Sequence, residues 1–151
     1  EIPKCLVPLA GKPLLGHWLQ KLEASGCEAV LINTHYLADK VLSFLAEWRS
    51  STLTIETVYE PELLGTAGTL IKNQSFFKDS TGLLIHADNA MAASIRPFLQ
   101  KHKTRQKNCL LTMLTFSTYT PSSCGIVEVN DNGVVVGFHE KKEFPPGNPE
   151  T

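Results

Sequence analysis

The spacing of hydrophobic and polar positions predicts helices and strands in alternation over most of the chain. Apolar residues recur at helical spacing from Leu14 to Leu22, directly after Pro13, and Gly26 ends that pattern. Residues 29–34 form a continuous apolar run that is too short for a helix and is typical of a strand buried on both faces. A buried parallel strand is therefore expected to follow the first helix.

The same two patterns repeat as far as residue 116. Further helices are predicted at residues 37–48, 66–72 and 94–102, and further strands at residues 54–59, 82–86 and 109–116. Of these strands, 109–116 has the strongest apolar pattern. The alternating order favours a mostly parallel sheet with helices on both faces.

A different pattern follows residue 116. Residues 125–129 and 134–139 are rich in β-branched side chains, and they flank a turn that ends in Asn132 and Gly133. Asn-Gly between two such runs predicts a β-hairpin. The predicted fold class is α/β, a doubly wound, mostly parallel sheet with a β-hairpin near the C-terminal end.

Composition and charge narrow the classes of function. The chain has 151 residues, which suits one domain over residues 1–151, and its formal net charge of -1 offers no basic excess for nucleic acid or an anionic membrane. No apolar run approaches the ~20 residues of a membrane span. The four cysteines form no C-x-x-C pair, so we expect no zinc site and interpret them as free thiols in a reducing cytoplasm.

Candidate chemistry lies just after the predicted strands, because a doubly wound sheet binds ligands beyond the carboxyl ends of its strands. Glu60 follows one strand, and Gly65, Thr66 and Gly68 then open a helix. Glycines at a helix start allow the backbone close to an anionic or flat ligand. A tight structural turn explains the same residues equally well.

Three further positions carry weaker signals. Asp88 follows the strand predicted at 82–86, where a divalent cation could bind, although a helix-capping role accounts for it as well. Glu140 and Lys141 follow the last predicted strand and could form a solvated edge. Lys4 lies between Pro3 and an apolar stretch, and a lone lysine is commonly a surface residue.

Taken in order, these segments resemble the sugar-phosphate nucleotidylyltransferases, with a pattern closest to the mannose-1-phosphate guanylyltransferases. Residues 3–14 are similar to the family's P-K-P-L-x-P-x-x-G-K-P-L segment, and residues 60–68 to its E-x-x-x-L-G-T-A-G segment. Residues 86–89 correspond to its G-D or S-D metal site, and residues 124–128 with 137–141 to its Y-G-V-V-x and F-x-E-K-P segments. The family's G-x-G-T-R loop and a second metal-binding Asp are not found in these 151 residues, so we expect a nucleotidyltransferase domain without its N-terminal strand, its Gly-rich loop and its C-terminal part.

The resemblance implies transfer of a nucleoside monophosphate from a nucleoside triphosphate to a sugar 1-phosphate, with release of pyrophosphate and formation of a nucleoside-diphosphate sugar. It implies Mg²⁺ as cofactor and a cytoplasmic location. Neither a nucleic acid nor a membrane is expected as a partner, and a homo-oligomer remains an open alternative. The implied roles are triphosphate stabilisation by Lys4, Mg²⁺ binding by Asp88, nucleotide binding by Glu60, Gly65, Thr66 and Gly68, and binding of the sugar phosphate by Gly125, Glu140 and Lys141.

The chemistry of Glu60 favours guanosine as the nucleoside. An ionised carboxylate only accepts hydrogen bonds, and guanine offers adjacent N–H donors at N1 and N2. GTP with mannose 1-phosphate, or with a manno-configured heptose 1-phosphate, is therefore the favoured pair. A non-catalytic regulatory or scaffolding module of the same fold remains the alternative, whereas a dinucleotide-binding domain is disfavoured because the chain has no G-x-G-x-x-G.

Overall fold

The protein is described by a computed structural model that covers residues 1–140, and its chain divides into two compact units. The first comprises Glu1–Arg96 and the second begins at Pro97. The prediction of a single domain over residues 1–151 stays a prediction, since residues 141–151 lie outside the described residues.

The elements follow the predicted alternation from residue 14 to residue 72 and end in a hairpin in the second unit. Short 3-10 turns lie at Lys4–Leu6, Gln74–Phe77 and Pro121–Ser123. The helices and strands, in chain order, are β1 (Pro8–Leu9), β2 (Lys12–Pro13), α1 (Leu14–Ala24), β3 (Ala29–Thr34), α2 (Ala38–Glu47), β4 (Thr54–Tyr59), α3 (Gly65–Lys72), α4 (Arg96–Lys103), β5 (Ile126–Val129) and β6 (Val135–His139).

β3 and β4 form the parallel pair that defines the fold class. The pair is in register over its whole length, from Ala29 opposite Thr54 to Thr34 opposite Tyr59. α2 connects the two strands, as a parallel connection requires a crossover. The predicted α/β class with parallel pairing is confirmed, and the carboxyl ends of both strands lie at one edge.

The core of the first unit lies around α1. This helix buries Leu15, Trp18, Leu19 and Leu22, which follow helical spacing. Leu19 is completely inaccessible to solvent. Gly26 ends the helix with a φ of 84°, a left-handed conformation that glycine adopts without steric cost.

Two predicted strands are wrong. Residues 82–86 and 109–116 have no strand partner among residues 1–140. Their apolar patterns describe suitable side chains, but a strand also requires hydrogen bonds from a neighbouring strand. In the second segment, Leu110 is 85% exposed and Phe116 is 78% exposed, so the expected burial does not occur there either.

The C-terminal hairpin is confirmed. β5 and β6 pair antiparallel, with Ile126 opposite His139. The Asn130 side chain accepts hydrogen bonds from the backbone N–H groups of Asn132 and Val134, both at 3.0 Å, and Gly133 adopts a φ of 70°. Asn130 therefore stabilises the turn together with the predicted Asn-Gly pair.

Sequence patterns missed a smaller hairpin at the start of the chain. β1 and β2 pair antiparallel around Ala10 and Gly11, which have φ values of 49° and 79°. Positive φ at both central residues is the requirement of a tight two-residue hairpin turn. Lys12 and Pro13 consequently form β2, directly before α1.

The predictions about the cysteines and about membrane-spanning segments can be compared directly with the described residues. All four cysteines are free thiols. Within residues 1–140, none of the helices has the length and apolar character needed to cross a membrane.

Candidate functional site

The turn that carries Lys4 is held by buried neighbours. Pro3 and Leu6 are buried, and the Leu6 N–H donates to the Pro3 carbonyl at 2.9 Å. The Val7 N–H donates to the Lys4 carbonyl at 3.1 Å, which closes the 3-10 turn. The buried residues fix the backbone, so the exposed Lys4 side chain is presented to solvent.

Asp88 lies in a second turn that α1 holds in place. The Asn89 N–H donates to the His86 carbonyl at 3.1 Å. The indole N–H of the buried Trp18 donates to the Asn89 carbonyl at 2.8 Å, and Lys21 Nζ donates to the Ala92 carbonyl at 3.1 Å. These bonds anchor the backbone beside an exposed Asp88 carboxylate.

Cys5 shows that the Lys4 turn and the Asp88 turn lie close together. Partial burial raises the pKa of the Cys5 thiol, a hydrogen bond within the turn lowers it, and the Asp88 carboxylate raises it further. Such a charge effect requires proximity between the two side chains. Within residues 1–140, no ion pair joins Lys4 to Asp88, so each charge remains available to a ligand.

Glu60 is deeply buried at the carboxyl end of β4. Its side chain is 1% exposed, and its Oε1 accepts a hydrogen bond from the Thr69 hydroxyl at 2.6 Å. The Leu64 N–H lies 3.5 Å from Oε2. The Glu60 side chain therefore does not point to water, and its role in reading the base stays a prediction.

The Glu60 backbone is also anchored to the neighbouring strand. Its N–H donates to the Thr34 carbonyl at 2.9 Å, and its carbonyl accepts from His35 Nδ1 at 2.7 Å. Thr34 is buried, and its hydroxyl donates to the Val58 carbonyl at 3.3 Å. The parallel pair thus continues beyond its last ladder residue and holds Glu60 in place.

The Gly65–Gly68 turn needs glycine at both ends, for different reasons. Gly65 has a φ of 70°, which disfavours any residue with a Cβ. A Cβ at Gly68 would lie 2.9 Å from the Leu64 Cβ, closer than two carbon atoms tolerate. Thr66 is exposed between them. The turn is tightly folded, and its outer face is open to solvent.

A cavity of about 740 Å³ adjoins the Lys4 turn and the Asp88 turn. It extends along all of β3 and along residues 82–88, and its lining includes Cys5, His35, Thr69 and Asp88. The cavity lies between residues that include 82–86 and β3, and the two segments are not paired as strands. The structure thus brings the Lys4 turn, the Asp88 turn and Thr69 of α3 to one cavity, whereas Glu60, Gly65, Thr66 and Gly68 are not among its lining residues.

The predicted sugar-phosphate residues lie in the second unit. Gly125 and Glu140 flank the Ile126–His139 pair, which places them at the same end of the hairpin. Phe138 packs against Gly125, where an added Cβ would lie 2.9 Å from the ring. Glu140 is exposed, and Lys141 lies outside the described residues.

The side chains near Asp88 determine whether the predicted Mg²⁺ could bind there. Among residues 1–140, no group of three or more His, Cys, Asp or Glu is placed to hold a metal ion. Asp88 supplies one carboxylate, and Mg²⁺ commonly binds through one or two carboxylates together with substrate phosphates. The residues present therefore fit a magnesium ion that arrives with a nucleotide.

Sequence reasoning missed three residues at this edge of the sheet, namely Thr34, His35 and Thr69. Thr69 directly follows the motif that ends at Gly68, Thr34 is the last residue of a correctly predicted strand, and His35 follows it. The position at the carboxyl end of a parallel strand was the available signal for Thr34 and His35. The hydroxyl contact of Thr69 depends on how α3 packs, which no local pattern shows.

Comparisons with known proteins identify the family of this chain. The profile of a family described as nucleotidyl transferase matches residues 1–149. A mannose-1-phosphate guanylyltransferase of Mycobacterium tuberculosis is 31% identical over 147 residues, covering 95% of this chain and 40% of the relative. A UTP–glucose-1-phosphate uridylyltransferase of Synechocystis is 28% identical over 153 residues, covering 93% of this chain and 39% of the relative. The chain thus spans about two fifths of the length of these curated relatives.

Two solved structures share the fold. A Bacillus anthracis protein described as a glucose-1-phosphate thymidylyltransferase, in complex with a sucrose, superposes with a TM-score of 0.77 at 19% identity, covering 94% of this chain and 57% of that chain. HddC from Yersinia pseudotuberculosis, complexed with GMP-PN, gives a TM-score of 0.68 at 18% identity, covering 93% of this chain and 61% of that chain. At this level of identity, the likeness concerns the fold alone.

Proposed function

This chain belongs to the nucleotidyl transferase family, and from that premise we propose that the protein transfers a nucleoside monophosphate from a nucleoside triphosphate to a sugar 1-phosphate. A sugar-phosphate oxygen attacks the α-phosphorus, and pyrophosphate leaves. Such a reaction depends on positioning and charge neutralisation rather than on a covalent nucleophile. We expect one domain that contains residues 1–151 to carry out the transfer.

The observation that carries this proposal is the shared cavity. Cys5, Thr69 and Asp88 come from three separate segments, and all three line it. It reaches the carboxyl end of β3 at Thr34 and His35, the kind of position at which open α/β sheets bind their ligands. Lys4, next to Cys5, supplies a positive charge at the same edge.

The described residues have distinct tasks in this scheme. Lys4 stabilises negative charge that grows on the departing pyrophosphate. Gly65, Thr66 and Gly68 present their open face to the nucleoside, and the start of α3 favours the approach of negative charge. Gly125, Glu140 and Lys141 bind the sugar hydroxyls and the sugar phosphate.

Mg²⁺ is the proposed cofactor, with Asp88 as its protein ligand. Bound there with the nucleotide, the ion would supply charge neutralisation at phosphate oxygens. The exposed carboxylate beside Cys5 supports this assignment, because no basic side chain among the described residues pairs with it.

GTP is the proposed nucleotide and mannose 1-phosphate the first sugar substrate to test, with a manno-configured heptose 1-phosphate as the second. The acceptor-only chemistry of Glu60 supports guanine. The similarity to the M. tuberculosis mannose-1-phosphate guanylyltransferase supports the pair as well. Because Glu60 is 1% exposed, reading of the base requires the residues that cover its carboxylate to move when the nucleotide binds.

The test is pyrophosphate release by the purified protein across GTP, ATP, UTP and dTTP, each with mannose, glucose and heptose 1-phosphates. We expect the highest specificity constant with GTP and a manno-configured acceptor, and dependence on Mg²⁺. Release that is highest with UTP or dTTP would contradict the choice of base while leaving the transfer reaction intact. No release with any pair would favour the non-catalytic module instead.

A further inference from the structure

We propose that Thr69 is a positioning residue whose hydroxyl holds the Glu60 carboxylate against α3, so that the glycine turn and the acceptor side chain keep a fixed relation at the nucleotide site. The inference deepens the proposed function and rests on it. It starts from an observation about burial: among residues 1–140, Glu60 is the one charged residue in the buried class, at 1% exposure.

A buried carboxylate requires hydrogen-bond donors, because it has lost those of water. The Thr69 hydroxyl supplies one at 2.6 Å, the length expected of a hydroxyl bonded to an ionised carboxylate. The Leu64 N–H, at 3.5 Å, lies at the outer limit of a hydrogen bond. Thr69 therefore provides the strong donor for Glu60.

The bond joins two parts that are each held separately. On one side, the Glu60 backbone is fixed by Thr34 and His35 at the end of the parallel pair. On the other side, the Thr69 carbonyl accepts from the Asn73 side chain at 2.8 Å near the end of α3. Leu64, the residue before α3, offers no side-chain cap. The Glu60–Thr69 bond thus ties the middle of this helix to the strand end.

Loss of the hydroxyl has two consequences for the nucleotide. The carboxylate must turn to find another donor, which removes the acceptor orientation on which the preference for guanine depends. The turn formed by Gly65, Thr66 and Gly68 also loses its attachment to β4, so affinity for every triphosphate falls.

The test compares Thr69→Val, which removes the hydroxyl at nearly constant shape, with Thr69→Ser, which retains it. Thr57→Val, at an exposed threonine of β4, is the matched control. For Thr69→Val we expect kcat/KM for GTP to fall about tenfold or more, mainly through KM, and the GTP-to-UTP ratio to fall as well. Thr69→Ser and Thr57→Val should stay within about threefold of wild type.

Amide hydrogen exchange over residues 61–69 supplies a readout that does not depend on turnover. Thr69→Val should accelerate exchange there, and Thr69→Ser should not. The proposal is overturned if Thr69→Val matches wild type in KM and exchange, or if Thr69→Ser is as impaired as Thr69→Val. A wild-type protein without pyrophosphate release would instead refute the proposed function, and the exchange comparison would still decide the positioning role.

Discussion

Gly68→Ala is the substitution whose effect the coordinates define best. The added Cβ would lie 2.9 Å from the Leu64 Cβ, an atom next to the backbone that cannot rotate away. Overpacking of this kind costs about 1–3 kcal/mol. Alanine stabilises a helix by about 1 kcal/mol relative to glycine, which offsets part of this cost. The expected net loss in the free energy of unfolding is therefore small, about 0–2 kcal/mol.

The effect on nucleotide use should be larger than the effect on stability. The clash displaces Leu64, whose N–H lies 3.5 Å from Glu60 Oε2, and an ångström of misplacement can cost about a hundredfold in rate. We expect kcat/KM for GTP to fall about tenfold to a hundredfold, while the thermal midpoint falls by no more than about 8 °C. Pyrophosphate release and thermal unfolding measure the two quantities on the same samples.

A matched control separates the site from general glycine effects. Gly26→Ala imposes a residue with a Cβ at a φ of 84°, and an added Cβ there meets nothing within 4 Å. Its cost, about 1–2 kcal/mol, is purely conformational. The control should lose stability while retaining KM for GTP. If Gly68→Ala keeps wild-type KM, or if Gly26→Ala raises it equally, the reasoning about the glycine turn is refuted.

The remaining predictions concern charged residues. Asp88→Asn should abolish most Mg²⁺-dependent turnover. Alkylation of Cys5 at different pH values should show a lower thiol pKa in this variant, because a nearby negative charge is removed. An unchanged alkylation profile would contradict the proximity of Asp88 to Cys5. Lys4→Ala should lower kcat more than it raises KM. Lys12→Ala, which loses a 2.6 Å hydrogen bond to Gln20, should retain turnover. The opposite result would invalidate the match of residues 3–14 to the family's Pro-Lys segment. Glu60→Gln should shift the GTP-to-UTP ratio toward UTP by about tenfold to a hundredfold, and an unchanged ratio in kinetic assays would remove Glu60 from base selection.

Local sequence patterns were sufficient to predict the elements whose hydrogen bonds or turns involve residues that are near in sequence. α1 is a helix because its apolar positions follow helical spacing, and its hydrogen bonds lie within the segment. β3 was recognised as a short apolar run and β4 by its alternation of apolar and polar residues, and the two strands pair with each other across one helix. The β5–β6 hairpin was recognised because its turn chemistry is local. The motifs of the site could likewise be found by their order along the chain.

Tertiary structure decided the features that depend on contact with a distant part of the chain. Residues 82–86 and 109–116 have the side chains of strands, yet no neighbouring strand supplies their hydrogen bonds within the described residues. The effect of Asp88 on Cys5 arises because two distant turns meet at one cavity. Glu60 could be placed at a strand end from the sequence, but its burial and its bond to Thr69 follow from packing. A one-dimensional pattern specifies which groups a segment offers, and the fold determines which groups they meet.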